Sequence, residues 1–144
     1  MLCSCRVWVT HSCYECAPCA GRRGRGADLE PYIAAFEAVD ADPQQLLAIV
    51  LDEGGLPAAT LQLTFVPGLS RAGATRLIIE GVRVHSRTRG SGLGARLIEW
   101  AHEQGRERGA TLAQLTSDRR REDAHRFYER LGYSATHVGF KLDL

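Results

Sequence analysis

No stretch of the chain approaches the roughly 18 consecutive apolar residues that a membrane-spanning helix needs. Nor is there the apolar core of a secretory signal near Met1. Beyond Cys19 there is no cysteine, so residues 20–144 contain neither a thiol nucleophile nor a disulfide. Charge of one sign is missing too: the formal net charge is +1, which gives a nucleic-acid partner no support. A single domain of ordinary soluble composition is expected, with 44% hydrophobic and 24% charged residues in 144.

What is present is unevenly placed. Cys3, Cys5, Cys13, Cys16 and Cys19 crowd the first 19 residues. Residues 1–26 carry a charge of +3, and the rest of the chain −2. Cys13-x-x-Cys16-x-x-Cys19, with His11 nearby, has the residue types of a zinc or iron–sulfur site, yet no second ligand pair follows downstream. Residues 1–26 therefore read as a flexible cysteine- and arginine-rich extension, ending in the basic linker Arg22–Gly26. No metal is expected. Arg6–Thr10 has the character of an edge strand.

The body reads as an alternation of elements. Asp28 and Pro31 start a helix carrying Ile33, Phe36 and Val39, which Asp40–Pro43 ends. Leu46–Leu51 and Ala58–Val66 are strands joined by the hairpin turn Asp52-Glu53-Gly54-Gly55. Pro67–Gly73 is a loop expected to form a lip beside the substrate. A buried strand over 78–84 leads into an arginine- and glycine-rich turn and a helix over 92–108, with Leu93, Leu97, Trp100, Ala101 and Gln104 on one face. A strand at 111–116, a short helix at 123–130 and a strand at 134–142 complete the order α, β, β, β, α, β, α, β. That order describes an α/β domain over residues 27–144, with hairpin-connected strands first and a β-α-β crossover after.

The turn is the chemically informative stretch. Gly90, Gly92 and Gly94 fall within five residues at the start of a helix, where glycine costs roughly 1 kcal/mol relative to alanine. Four arginines and no acid lie between Arg83 and Arg96. Unpaired N–H groups at a helix start, fed by a glycine turn and ringed with arginine, favour an anion. The plain alternative is a tight turn with solvated arginines. Gly90-x-Gly92-x-x-Ala95 also satisfies the dinucleotide pattern, but three strands precede it and too little chain follows for a second Rossmann half.

Arg87-x-x-Gly90-x-Gly92 resembles the acyl-CoA signature of the GNAT superfamily of N-acetyltransferases. Ala124-His125-Arg126-Phe127-Tyr128-Glu129-Arg130-Leu131-Gly132-Tyr133, about 35 residues further on, is similar to a second segment of that superfamily. Arg121 stands where the superfamily often has asparagine, and its usual first strand is not obvious before Asp28.

The resemblance implies a GNAT-like fold, in which a central mostly antiparallel sheet with a β-α-β acyl-CoA-binding core is flanked by helices. It implies a cytoplasmic enzyme that moves the acetyl group of acetyl-CoA to a primary amine, on a small molecule or a peptide, by direct attack. Acetyl-CoA would be held by Val82, Arg83, Val84, Arg87, Arg89, Gly90, Ser91, Gly92, Leu93, Gly94 and Arg121. Tyr128 would be the general acid for the departing thiolate, although its place on the apolar helix face also suits packing. Glu80 is the candidate base, its alternative being a solvated acid or a partner of Arg83. His85, His125 and His137 are weaker candidates. A non-catalytic CoA-binding sensor and a metal- or nucleic-acid-binding protein acting through residues 1–26 are the alternatives. Exposed closing strands are compatible with a homodimer.

Overall fold

Asp52 turns the chain back on itself. Its carboxylate accepts the N–H groups of Gly54 at 3.0 Å and Leu56 at 2.9 Å, and its own N–H donates to the Leu56 carbonyl at 2.9 Å. That turn aligns β2 (Gln45–Leu51) antiparallel to β3 (Pro57–Pro67). A computed structural model describes residues 6–9 and 28–144 of the chain. The cysteine cluster, His11 and the Arg22–Gly26 linker lie outside the described residues.

The sheet has five strands in the order β1-β2-β3-β4-β5, with β1 (Arg6–Val9), β4 (Thr75–Val84) and β5 (Ala110–Gln114) completing it. The first four pair antiparallel, and β4 pairs parallel with β5. The edge-strand character is therefore realised over residues 6–9, and the sheet includes a strand that precedes residue 27.

Strand periodicity puts Leu46, Ala48 and Val50 of β2, Ala59, Leu61, Leu63 and Phe65 of β3, and Leu77 and Ile79 of β4 in the core. Helix α2 (Leu93–Glu107) lays Leu93, Leu97, Ile98 and Ala101 on that face. Gly105 sits on Leu77 so closely that a Cβ there would lie 2.9 Å from the leucine's Cδ2. Arg108 follows, its guanidinium 4.3 Å from the Phe65 ring centre and 3.1 Å from the Pro43 carbonyl. Helix α1 (Glu30–Ala41) starts where expected: Asp28 accepts the Glu30 N–H and Pro31 occupies the first turn. Helix α3 (Glu122–Arg130) carries the second motif.

Two expectations are corrected. The Pro67–Gly73 loop joins β3 to the start of β4, at the end remote from the glycine turn, roughly 30 Å along the strand. The loop expected as a lip beside the substrate therefore lies at the opposite end of β4 from the glycine turn. Residues 134–142 form no strand: their apolar alternation is real, but among the described residues nothing pairs with them. A strand needs a partner for its N–H and C=O groups, which the sequence pattern alone does not supply.

Candidate active site

Core-facing positions on β4 change parity along the strand. Leu77 and Ile79 face the core, and so do Val82 and Val84. One extra residue between them accounts for the switch, since alternation requires even spacing. The register confirms it: Gln62 pairs with Glu80 and Thr60 with Arg83, so Leu61 faces two β4 residues. Gly81 adopts φ +59°, a left-handed conformation that glycine takes without the Cβ clash of other residues.

The bulge bends β4 away from β5, which it pairs with only over Thr75–Ile78. Beyond Ile78 the two strands part. The wedge between them is a cleft of about 140 Å³ lined by Ile79, Glu80, Gly81, Val82, Arg83, Thr116, Arg121 and Tyr128. One wall is the β4 backbone, whose edge toward β5 has lost its ladder partner. The other wall comes from residues after β5 and from α3.

The glycine turn lies where β4 gives way to α2. Its N–H groups divide in two. Those of Arg89 and Ser91 turn inward to the carbonyls of Ser86 and Thr88. Those of Gly90, Gly92, Leu93 and Gly94 have no acceptor among the described residues, as helix geometry requires for a first turn. At Gly90 and Gly92, with φ +81° and +80°, a Cβ would meet no atom within 4 Å, so the space in front of the backbone is open. Free N–H groups, an open approach and the positive end of a 15-residue helix form a donor set that fits a pyrophosphate.

Tyr128 is half-buried, packed edge-on against Phe127 and Tyr133 at centroid distances of 5.1 and 5.8 Å. Burial raises its pKa above 10.0, with nearby Arg121 pulling in the opposite direction. Its phenol is thus protonated and able to donate at neutral pH. Tyr133 behind it is pushed up to about 12 by burial and by Tyr128. The Tyr133 hydroxyl sits 2.6 Å from His102 Nε2 on α2, which ties α3 to α2. Burial, reinforced by Arg106, lowers the His102 pKa below 6.5 against an opposing pull from Glu99.

The fold brings Tyr128, Glu80, Val82, Arg83 and Arg121 together in the cleft. Glu80, Arg83 and Arg121 are exposed and make no side-chain hydrogen bond or ion pair with the described residues. Gly90, Ser91 and Gly92 lie on the turn, where Ser91 Oγ donates to Thr88 O at 2.7 Å. Leu93 buries its side chain in the core, leaving only its N–H for the site. Gly94 has a packing role: a Cβ there would lie 3.4 Å from Phe127 and 3.7 Å from Val84.

Arg89 Nε reaches Val84 O at 3.4 Å. The Arg87 guanidinium is directed away from the turn, to Asp52 and the Pro57 carbonyl. His85 accepts the Arg87 N–H, His125 contacts Asp118 O at 2.9 Å, and His137 lies in the exposed segment after α3. Sequence reading missed Gly81, Thr116 and the His102–Tyr133 pair. Only Gly81 had a signal, as a glycine inside a β-branched strand.

The sequence profile of the Acetyltransferase (GNAT) family matches residues 11–133, and the chain belongs to that family. The solved structure of a transcriptional regulator from Bacillus halodurans is 36% identical, with a TM-score of 0.79 over 96% of this chain and 100% of that one. Glucosamine-6-phosphate N-acetyltransferase from Arabidopsis thaliana shares the fold, with a TM-score of 0.71 at 22% identity over 83% of this chain and 80% of that one. Aminoalkylphosphonate N-acetyltransferase from Salmonella typhimurium is 46% identical over 52 residues, 36% of this chain. The chain matches about a third of that relative's length, 34%.

Proposed function

We propose that the protein is an N-acetyltransferase that moves the acetyl group of acetyl-CoA onto a primary amine by direct attack. The observation that carries this reading is the β4–β5 wedge: it sets Glu80 and Tyr128 in one cleft, beside an open anion cradle at the start of α2. Membership of an acetyltransferase family supports it.

In this reading the N–H groups of Gly90, Gly92 and Leu93 take the pyrophosphate, with Arg89 adding charge. The unpaired edge of β4 from Gly81 to Val84 takes the pantetheine arm as an added strand. A main-chain N–H there also receives the thioester oxygen as charge develops on it, a contribution of about 10²–10³ in rate. Glu80 removes a proton from the ammonium, directly or through water, so that a neutral nitrogen attacks the carbonyl carbon. The C–N bond forms and the C–S bond breaks. Tyr128 gives its proton to the leaving sulfur, a step worth roughly 10²–10⁴ in rate. No metal enters this scheme, and among the described residues no cluster of His, Cys, Asp and Glu is arranged to hold one.

The acceptor is a small-molecule or peptide amine. Arg83, without an ion-pair partner among the described residues, favours one that also carries an anionic group. The name of the Salmonella relative is in keeping with such a compound. No described helix is long and apolar enough to cross a membrane, and acetyl-CoA as cosubstrate points to the cytoplasm.

The test is release of free thiol from acetyl-CoA with aminoalkylphosphonates, amino acids, polyamines, aminoglycosides and peptides. Turnover with one class, lost in Tyr128→Phe while acetyl-CoA still binds, is the expected result. Binding of acetyl-CoA with no thiol released by any amine would overturn the reading in favour of a CoA sensor.

A further inference from the structure

The helix that carries Tyr128 is lightly held. No residue of α3 is buried, so no core side chain pins its position. Its ion pairs, Arg126 with Glu122 and Asp123, stay within the helix, and His125 contacts Asp118 O in the loop that precedes it. A proton donor must nonetheless be aimed closely at its target. That aim has to come from outside α3.

Two contacts reach outward, and both end on α2. Phe127 packs against the first turn of α2, where a Cβ at Gly94 would lie 3.4 Å from its ring. Tyr133, just past the helix end, folds back on Tyr128. Its N–H donates to Tyr128 O at 3.1 Å, and its ring stands at 70° to the Tyr128 ring with centroids 5.8 Å apart. An edge-on ring pair fixes Tyr128 only if the second ring is itself fixed. The bond to His102 fixes it. At 2.6 Å, it is the one side-chain hydrogen bond among the described residues that joins the α3 segment to another helix or strand. His102 lies on α2 nine positions beyond Leu93, roughly 14 Å along a rigid rod whose front end is the anion cradle.

We infer that Tyr133 and His102 are positioning residues for acetyl transfer: their hydrogen bond holds the Tyr133 ring against Tyr128, and so aims the Tyr128 hydroxyl at the thioester sulfur of a cosubstrate held by the same helix α2. Neither residue lines the cleft. The inference rests on the acetyl-transfer reading, in which Tyr128 is the acid. Tyr133→Phe removes one oxygen and keeps the ring, which separates aim from packing.

The test is thiol release from acetyl-CoA by the full chain and its variants, with whichever amine of the classes above turns over fastest. Tyr133→Phe should lower kcat about tenfold and leave KM for acetyl-CoA within about twofold. His102→Ala should match it, and His102→Gln, which keeps a polar contact for the hydroxyl, should recover most of the loss. In the Tyr128→Phe background Tyr133→Phe should cost nothing further, because no hydroxyl is left to aim. Tyr133→Phe at the wild-type kcat, or the same loss repeated in the Tyr128→Phe background, would overturn the inference and leave the acetyl-transfer reading standing. Tyr128→Phe at the wild-type kcat, or no turnover with any amine, would remove the acid role itself and this inference with it. If Tyr133→Phe does not fold, His102→Ala and His102→Gln on both backgrounds give the same decision.

Discussion

Arg87 and Asp52, 35 positions apart, form a clamp across the top of the sheet. The guanidinium reaches the carboxylate at 3.0 Å and the Pro57 carbonyl at 2.7 Å. The arginine that opens the acyl-CoA signature therefore holds the β2–β3 turn against the glycine turn.

Arg87→Ala should lower Tm by a few degrees while leaving acetyl-CoA affinity within about fivefold, or ~1 kcal/mol. Asp52→Ala should do the same, and the double variant should be little worse than either, since all three lose one clamp. Hydrogen bonds from the Leu56 N–H and then from Arg87 hold the Asp52 pKa below 3.8. A depressed carboxylate stabilises the fold above its ordinary pKa, so this contribution should fade as pH falls below about 3.8. Thermal melts of the wild type and both single variants across that range provide the check.

Gly81→Ala should destabilise the protein by about 1–2 kcal/mol, the cost of a left-handed backbone for an L residue. The space itself permits a methyl group, because a Cβ would lie 3.8 Å from Gln62 N. If strain at the bulge is relieved by straightening β4, turnover should fall further than stability does. Paired urea titrations and steady-state rates would separate the two effects.

Tyr128 is raised above its ordinary 10.0, so the wild-type kcat should show no alkaline fall below pH 10. Any loss on the acid side then belongs to the amine and its base. Tyr128→Phe should lower kcat by roughly 10²–10⁴ and leave the acid side of the profile unmoved. A kcat that falls between pH 8 and 9 in the wild type would contradict the acid role as drawn.

His102 has a folded pKa below the 6.5 of the unfolded chain. The unfolded state therefore binds more protons as pH falls through 6.5, and stability should decline from there toward the folded pKa. His102→Gln, which retains a polar contact for Tyr133, should flatten that decline. Denaturant midpoints between pH 5 and 7.5 would show whether it does.

What the sequence disclosed and what it hid divide along one physical line. The strand–turn–helix around Gly92 and the Phe127–Tyr128 helix are local patterns, set by alternation, glycine and helical spacing, and the fold repeats them closely. The bulge at Gly81 depends on register against β3, which no window of β4 contains. The Arg87–Asp52 clamp and the His102–Tyr133 contact join residues distant in sequence. The Pro67–Gly73 loop was misplaced because composition marks a loop without saying which end of the sheet it crosses. Residues 134–142 kept their alternation and lacked a partner, so pattern and structure part there.

Gly105 has a mechanical consequence. It lets α2 rest directly on Leu77, and so acts as the pivot of a lever whose other end is the anion cradle. From Gly105 to Leu93 the helix is roughly 18 Å long at 1.5 Å per residue. A tilt of roughly 5° about the pivot would swing the free N–H groups by about 1.5 Å over that length, and misplacements near 1 Å are enough to cost a bound reactant about 100-fold. A side chain at the rear of the helix, far from any reacting atom, would thus spoil the aim of its front.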